Sequence, residues 1–538
     1  MVRTPGFHPG NRSSILLGAT IMLSLSKNYL KIGKATDLES PKERIIYRAF
    51  EILPGTLAWF TLLGVIFLSW FNPTWIAVFI IAFDVYWVLK TIYLSFHLRV
   101  SYKQMKKNIK EDWFSKVKSL KNKNWQNYYH LIILPFYKEP YGVIEKTIQA
   151  IVDSEYPNDK IMIVLATEER AGKSAQEISE KIKKKYSDIF YKFLITIHPQ
   201  DIVGELAGKG ANSTWAARQA KKELIDKFNI SYKNVIVSCF DIDTQVYPKY
   251  FSCLTYHYLT VKDPTKTSYQ PIPIYNNNIW QAPCISRVVA TSGTFWQMVQ
   301  QQRPERLSSF SSQSMSFKAL NEVDFWPVNM VSEDSRIFWQ NFLYYDGDYK
   351  VIPLNYPVSM DANLSDNFFK TSVNVYIQQR RWGWGVENIP FLFFGFLKNK
   401  KISLRKKIHW AWIQLEGFWS WATNALLIFL LGWLPLYLGG DKFNTTLLSY
   451  NLPRITRILM TIAMIGLIGS AIYSTLLLPR RPDAYKGIKG FVKSFGMLIQ
   501  WILVPFTILI FGAIPGLEAQ TRLMFGKYMG FWVTPKKK

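Results

Sequence analysis

Val237-Ser-Cys-Phe-Asp241-Ile-Asp243-Thr244 is the stretch that decides the fold of this chain. It begins as a short apolar run and ends in two carboxylates two residues apart. Side chains two residues apart at the end of a strand point the same way. Two carboxylates in that position can hold a hard cation, which in turn can hold a diphosphate. A solvated turn is the alternative for an isolated Asp-x-Asp, so the surrounding sequence decides between the two.

Short apolar runs alternate with helical patterns on both sides of this stretch, between residues 100 and 385. The predicted strands are His130–Pro135, Ile161–Ala166 and Val235–Cys239, and the predicted amphipathic helices are Val143–Val152, Ser174–Lys185 and Ser213–Phe228. This alternation predicts a mostly parallel sheet covered by helices. Ligands of such sheets bind beyond the carboxyl ends of the strands, which is where Asp241 and Asp243 lie.

Long apolar stretches flank this domain. Residues 54–71 and 75–96 each approach the ~20 residues that a crossing helix needs, and residues 410–438 and 455–478 form a second such pair. Asp84 lies inside a predicted span, so we expect it to face protein rather than lipid. The predicted divisions are a basic N-terminal segment (1–53), a transmembrane hairpin (54–98), the α/β domain (99–385), an interfacial helix (386–407), a second hairpin (408–480) and a C-terminal segment with a tail (481–538).

The last apolar stretch, residues 491–515, is long enough to cross a membrane. A single crossing would put the lysine-rich C-terminus outside, against the preference of basic residues for the inside. Pro505 lies in the middle of the stretch and can break a helix. We therefore favour two short half-helices that lie in or dip into the cytoplasmic leaflet, and a full crossing is the alternative.

The chain carries a formal net charge of +27. Its lysines and arginines cluster beside the apolar stretches, which marks the cytoplasmic side. We expect a multi-pass protein of the plasma (inner) membrane with a cytoplasmic α/β domain and membrane lipids as partners. The sequence has no zinc-finger spacing and no separate basic DNA-reading helix, which argues against nucleic acid as a partner.

The three cysteines, Cys239, Cys253 and Cys284, predict no chemistry of their own. No pair has metal-ligand spacing, and so few cysteines do not make a disulfide scaffold. We expect them to be reduced, small apolar side chains in a cytosolic domain.

Four further motifs carry polar chemistry. In Gly208-Lys209-Gly210 small residues let the backbone approach a phosphate while Lys209 supplies positive charge. Ser332-Glu333-Asp334 offers a carboxylate as general base, although an acidic pair also stabilises a helix start. In Gln378-Gln-Arg-Arg381-Trp382 the arginine can bind a diphosphate bidentately and the tryptophan gives a sugar a flat surface. Thr291-Ser-Gly-Thr-Phe-Trp predicts a small-residue turn beside a sugar, with core packing as the alternative.

In this order the motifs resemble the membrane-embedded family-2 glycosyltransferases, the group of cellulose, chitin and hyaluronan synthases. The matching order is Pro135…Glu139, Gly208-Lys209, Asp241-x-Asp243, Ser332-Glu333-Asp334 and Gln378-x-x-Arg381-Trp382. The tail Phe531-Trp-Val533-Thr534-Pro-Lys536 resembles the Phe-x-Val-Thr-x-Lys gating loop of cellulose synthases. The chain departs from the family where Ala166-Thr167-Glu168 ends the second strand, a place where the family usually has Asp.

The resemblance implies a GT-A (Rossmann-like) α/β fold, between transmembrane hairpins, and an inverting single displacement. It implies that Asp241 and Asp243 hold Mg²⁺ or Mn²⁺ and that Asp334 is the base. The remaining implied roles are nucleotide-sugar binding by Glu168, Lys209, Asp241, Asp243 and Arg381, acceptor binding by Glu333, Gln378 and Trp382, and gating by Phe531, Val533, Thr534 and Lys536.

The expected function is a hexosyltransferase that moves a sugar from a nucleotide-sugar, with a UDP-sugar expected, to a growing β-linked polysaccharide. One alternative is transfer of a single sugar to a membrane lipid, favoured by the small number of spans. The other is a membrane scaffold without catalytic activity. The acceptor is a glycan in the first case and a lipid in the second, and the sequence leaves the oligomeric state and any accessory subunit open.

Overall fold

The computed structural model describes residues 28–121, 123–480 and 487–533. An eight-stranded mixed sheet lies at its centre, in the strand order β3-β2-β1-β4-β7-β6-β8-β5. The strands are β1 Tyr129–Pro135, β2 Ile161–Glu168, β3 Lys192–His198, β4 Val235–Cys239, β5 Gln245–Val246, β6 Thr267–Ile274, β7 Gln313–Ser316 and β8 Lys350–Ser359. Residues 1–27 of the predicted N-terminal segment, and Thr534 and Lys536 of the tail, lie outside the described residues.

Helices surround the sheet and extend from it on one side. The α-helices of the described residues are α1 Pro41–Phe71, α2 Pro73–Lys110, α3 Trp113–Lys118, α4 Tyr141–Val152, α5 Lys173–Tyr186, α6 Lys209–Ala220, α7 Tyr250–Thr260, α8 Cys284–Gln301, α9 Phe317–Glu322, α10 Glu333–Tyr344, α11 Phe368–Gly383, α12 Asn388–Lys398, α13 Leu404–Phe429, α14 Leu434–Leu438, α15 Gly440–Asn444, α16 Leu447–Leu476, α17 Gly487–Ile499, α18 Val504–Ile508 and α19 Ile514–Met524. A π-helical turn, Lys221–Asp226, continues α6. We call α1, α2 and α13–α19, which precede and follow the strands in the chain, the membrane-side helices.

The parallel half of the sheet forms as predicted. Strands β3, β2, β1 and β4 pair in parallel, and the three strands predicted from apolar runs are among them. Along β1, Ile132 packs on the face covered by α4, while Ile133 packs with α6 residues on the other face. Alternation of side chains along a strand therefore buries both faces of the sheet.

The rest of the sheet is mixed, although parallel pairs remain the majority, four of seven. Strand β7 is antiparallel to both β4 and β6, and β8 is parallel to β6 but antiparallel to β5. The sequence of β7 is Gln-Ser-Met-Ser, so it lacks the apolar run by which β1, β2 and β4 were predicted. Its serines are satisfied inside the sheet, for example by the 2.7 Å hydrogen bond between Ser238 and Ser314.

Four helices are long and apolar enough to span a membrane: Pro41–Phe71, Pro73–Lys110, Leu447–Leu476 and Val492–Met524. A fifth candidate is the pair Leu404–Phe429 and Leu431–Leu438, which is bent by 50°. These agree with a multi-pass membrane protein. The prediction for Asp84 is confirmed, because its Oδ2 accepts a hydrogen bond from Thr456 on α16 at 2.8 Å. Helix α2 reaches the domain, where Asn108 donates to the backbone oxygen of Leu354.

The last apolar segment is one continuous helical stretch of 33 residues, Val492–Met524, in which a 3-10 turn and a π-helical turn join α17, α18 and α19, instead of the two half-helices that we predicted. It contacts the α/β domain along much of its length. Gln500 accepts a 2.7 Å hydrogen bond from Arg287 on α8, and Glu518 accepts a 2.8 Å bond from Arg380 on α11. Gln500 and Glu518 are 18 residues apart, which corresponds to ~27 Å along a helix. The helix therefore runs along the domain over this distance.

Helix α12 occupies the predicted interfacial segment, but its apolar residues pack on protein. Phe391 and Phe396 join a cluster with Trp339 of α10 and Trp410 of α13. Phe394 packs edge to face against Tyr47 of α1. The segment is thus a buried link between the domain and the membrane-side helices, because aromatic residues surround it on several sides.

Candidate functional site

Asp241 and Asp243 follow β4 at the carboxyl end of the parallel strands, as predicted. The Oδ2 of Asp243 accepts the backbone N–H of Asp361 at 3.0 Å, and Asp243 is only 1% exposed. Asp241 is half-buried and its Oδ2 accepts a 2.6 Å hydrogen bond from the Ser311 hydroxyl. A buried, hydrogen-bonded carboxylate is not a solvated turn residue, so the structure disfavours that alternative.

Lys209 joins the acidic residues into one cluster. It is the first residue of α6, and its Nζ lies 2.7 Å from Asp241 Oδ1 and 2.9 Å from both carboxylate oxygens of Asp334. Glu333 Oε1 is 4.0 Å away. We call these four residues the Lys209 cluster. Burial opposes a charge on Lys209, but Asp241 and Asp334 outweigh it and hold the pKa of Lys209 well above its ordinary value.

Glu333 and Asp334 begin α10 and differ in their electrostatics. Burial, reinforced by the neighbouring charge of Asp334, raises the pKa of Glu333 to about 8. Burial also raises the pKa of Asp334, while Lys209 opposes that rise. Burial therefore favours a proton on Glu333, whereas Asp334 is the direct ion-pair partner of the Lys209 ammonium. Of the two carboxyl groups, Asp334 is the one equipped to accept a proton.

Sequence reasoning missed a segment that contacts the cluster, residues 309–312, which we call the serine strap. Ser309 Oγ donates to the backbone oxygen of Asp334 at 2.8 Å, and Ser311 Oγ donates to Asp241. Ser312 Oγ accepts the backbone N–H of Asp241 at 3.3 Å and bonds to Thr244 Oγ1 at 2.8 Å. The strap contains no recognised motif. Its one sequence signal is the high density of serines around Phe310.

Helix α11 brings Arg381 and Trp382 to the same region. The Arg381 guanidinium lies 5.1 Å from the Phe531 ring centre, and its Nε is buried with no hydrogen-bond partner among the described residues. Trp382 lies 6.2 Å from the Tyr275 ring. Gln378 and Trp382 line a small cavity together with Asn363.

The prediction of a turn at Thr291–Trp296 is wrong, because these residues lie in the middle of α8. A Cβ on Gly293 would stand 3.8 Å from both the Trp382 and Tyr275 rings. The small residue therefore gives two aromatic rings room to approach the helix. Phe295 stacks on Trp501 at 5.5 Å, which agrees with the core-packing alternative.

The C-terminal tail, residues 525–533, contacts the start of α6 next to the Lys209 cluster. A Cβ on Gly208 would lie 2.6 Å from Phe531 Cγ, so Phe531 covers the residue before Lys209. The tail leaves α19 beside α1, where Arg48 donates to the backbone oxygens of Leu523 and Met524. Val533 is half-buried at the end of the described tail.

Glu168 ends β2 at the same edge of the sheet, with a relative exposure of 4%. It pairs with Arg170 two residues later. Its partner is thus a neighbour in sequence, whereas the Lys209 cluster is assembled from three distant segments. The structure leaves the predicted role of Glu168 in nucleotide binding as a prediction.

The carboxylates of Asp241 and Asp243 suit a divalent ion only if a substrate supplies further oxygen ligands. Among the residues that the structure describes, no three His, Cys, Asp or Glu side chains are grouped to hold a metal ion. Mg²⁺ sites commonly use one or two carboxylates together with substrate phosphates, and Asp241 and Asp243 match that pattern. Because Lys209 already contacts Asp241, a cation there would share or displace this ion pair.

The fold resembles solved structures only distantly. The chain is similar to the mannosyltransferase PcManGT from Pyrobaculum calidifontis in complex with GDP-Man and Mn²⁺, at 14% identity and a TM-score of 0.41, covering 73% of this chain and 98% of that one. It is also similar to S. aureus TarS 1–349, at 10% identity and a TM-score of 0.36, covering 65% and 90%. No protein-family model and no curated protein matches the sequence. The activity must therefore be argued from the residues of this chain.

Proposed function

We propose that this chain is a membrane-bound inverting glycosyltransferase of the family-2 type that takes its sugar from a nucleotide-sugar. One observation carries the proposal: Asp241, Glu333 and Asp334, from two distant segments, surround the ammonium of Lys209 at the carboxyl end of the parallel strands. Ligands of such sheets bind at this edge. The proposed arrangement is of the GT-A type, with the α/β domain on the cytoplasmic side of the plasma (inner) membrane.

The donor diphosphate would lie beside the N-terminus of α6. Backbone N–H groups at a helix start favour a phosphate, and Gly208 and Lys209 stand there. Arg381, with its buried and unpartnered Nε, would bind the departing diphosphate from the other side. A divalent ion held by Asp241 and Asp243 would supply further positive charge to the diphosphate.

Asp334 would act as the general base. Its carboxylate takes the proton of an acceptor hydroxyl, the hydroxyl oxygen forms a bond to the anomeric carbon, and the bond from that carbon to the diphosphate breaks. The attack inverts the configuration at that carbon. Glu333, held protonated, would donate a hydrogen bond near the acceptor, and Gln378 and Trp382 would line the path of the acceptor sugar.

The acceptor is proposed to be a growing polysaccharide. Gln378 and Trp382 border the same cavity, and a tryptophan face beside an amide suits the polar edges and apolar face of an acceptor sugar. Transfer of a single sugar to a lipid is the second candidate, and the small number of apolar helices favours it.

The test is to incubate membranes that contain the protein with radiolabelled nucleotide-sugars. A high-mass product that glycosidases degrade supports the polysaccharide, and a product extracted by organic solvent supports the lipid. Asp334→Asn should abolish transfer and leave nucleotide binding nearly intact, and Asp243→Ala should abolish both. The matched control is Asp324→Asn, which removes surface ion pairs with Lys31 and Arg218. If Asp334→Asn and Asp243→Ala both transfer sugar at the wild-type level, the proposed site is refuted and the membrane scaffold without catalytic activity is favoured.

A further inference from the structure

We propose that the serine strap, residues 309–312, is the positioning element of this site: Ser311 orients the Asp241 carboxylate towards a cation and Ser309 fixes the base Asp334. The inference rests on the proposed function. It concerns residues that act through Asp241 and Asp334.

The contacts of Ser311 carry the first half of the inference. Its hydroxyl donates to Asp241 Oδ2 at 2.6 Å and accepts from Lys209 Nζ at 3.3 Å. Lys209 occupies the other oxygen, Oδ1, at 2.7 Å. Ser311 therefore holds the Asp241 carboxylate through Oδ2, on the oxygen opposite the one that Lys209 contacts. Oδ2 would keep this hydroxyl partner when Lys209 turns to a diphosphate and a cation takes the place of the ammonium.

The contacts of Ser309 carry the second half. Ser309 Oγ and Gln313 Nε2 both donate to the backbone oxygen of Asp334, at 2.8 and 2.9 Å. Ser309 is fully buried, so the first turn of α10 is tied to the strap. Ser311 thus binds the Asp241 carboxylate and Ser309 the backbone of the base Asp334, so the strap between them sets the separation of the two residues.

Two features keep the strap rigid. Ser312 has a φ of 60°, a left-handed conformation that persists in a non-glycine residue only when its surroundings hold it there. Its hydroxyl is fixed by Thr244 at 2.8 Å. On the preceding side, Arg306 pairs with Glu416 of α13 at 3.2 Å, which anchors the strap to the membrane-side helices.

The experiment uses purified full-length protein in detergent and measures Mn²⁺ binding by electron paramagnetic resonance, alone and with UDP or GDP. Ser311→Ala should weaken Mn²⁺ binding on the order of tenfold, the usual loss when a partner of a metal ligand is removed. Ser311→Thr, which keeps the hydroxyl, should restore most of the affinity. Ser314→Ala is the matched control, because Ser314 is buried next to the strap but bonds to Ser238 and Tyr250.

Ser309→Ala should leave Mn²⁺ affinity unchanged and lower the turnover of labelled sugar by up to about a hundredfold, the loss that a ~1 Å misplacement of a reacting group causes. The donor KM should stay at the wild-type value. A merely structural role would lower the melting temperature of Ser311→Ala, Ser309→Ala and Ser314→Ala alike and leave Mn²⁺ affinity equal in all of them.

The outcomes test the roles of Ser311 and Ser309 separately from the proposed cation site. Equal Mn²⁺ affinities of the wild type and Ser311→Ala would overturn the role of Ser311 alone. Wild-type turnover in Ser309→Ala overturns the role of Ser309. Wild-type protein that binds no Mn²⁺ under any of the three conditions refutes the proposed cation site, and the inference about Ser311 with it.

Discussion

Replacing Lys209 with methionine removes the cation on which the acidic residues converge and keeps a side chain of similar length. In the structure the Lys209 ammonium contacts Asp241 at 2.7 Å and Asp334 at 2.9 Å. The substitution therefore leaves two carboxylates without their shared partner. Three measurable quantities change as a result: donor affinity, the pH dependence of transfer and the stability of the fold.

Donor affinity should fall because Lys209 is the proposed ligand of the diphosphate. A hydrogen bond between charged groups contributes about 1.5–3 kcal/mol. At about 1.4 kcal/mol per factor of ten, the dissociation constant of the nucleotide-sugar should rise about 10- to 150-fold. Equilibrium binding of labelled donor to the purified protein measures this change.

The acid limb of the pH–rate profile should move to higher pH. Asp334 acts as a base only when ionised, so transfer increases as the pH rises through its pKa. Burial raises that pKa and Lys209 lowers it. Without Lys209 the pKa of Asp334 rises further, and a smaller fraction is ionised at any given pH.

Stability should fall as well, by up to about 3–5 kcal/mol, the cost of leaving a buried charge without its partner. A carboxyl group whose folded-state pKa exceeds its unfolded value stabilises the protein at low pH and loses that effect as the pH rises through the folded pKa. The melting temperature of Lys209→Met should therefore decrease with rising pH more steeply than that of the wild type.

The matched control is Lys221→Met, which removes a surface ion pair with Asp226 just beyond the same helix. An exposed pair contributes about 0–1 kcal/mol, so this variant should keep donor affinity and the acid limb. Unchanged donor affinity together with an unshifted acid limb in Lys209→Met would refute the electrostatic account of the site.

Three further predictions concern the tail and the membrane-side contacts. Truncation after Gly530, which removes Phe531, should lower turnover without unfolding the protein, as thermal unfolding and donor turnover will show; full activity refutes gating. Gly208→Ala places a Cβ 2.6 Å from Phe531 Cγ and should reproduce the truncation, while Gly530→Ala, which meets nothing within 4 Å, should not. Glu416→Gln leaves two cationic partners and should cost about 1–3 kcal/mol of stability; an unchanged melting temperature contradicts this.

Much of the fold was predictable because its signals are local. Strands β1, β2 and β4 are apolar runs, and burial on both faces of a parallel sheet requires such runs. The spans likewise depend on apolar length alone. Strand β7 escaped prediction because it is polar, with Ser314 bonded to Ser238 of the neighbouring β4, and no local pattern distinguishes a buried polar strand from a loop.

The candidate site was predictable as a set of residue types but not as a geometry. The pair Asp241 and Asp243, and the pair Glu333 and Asp334, stand out by spacing. The contact of Ser311 with Asp241 joins residues 70 positions apart, and such a contact leaves no trace in the sequence around either residue. The same holds for the placement of Phe531 against Gly208.

The sequence by itself determined the order of membrane-side and α/β segments and the acidic residues at the strand ends, because apolar length and residue spacing are properties of neighbours in the chain. The tertiary structure alone decided which carboxyl group pairs most closely with the Lys209 ammonium. Burial beside Asp334 raises the pKa of Glu333 to about 8, while the Lys209 ammonium holds Asp334 as its ion-pair partner. Burial and the distances between charges exist only in the folded chain, and they set the charge of each group in the site.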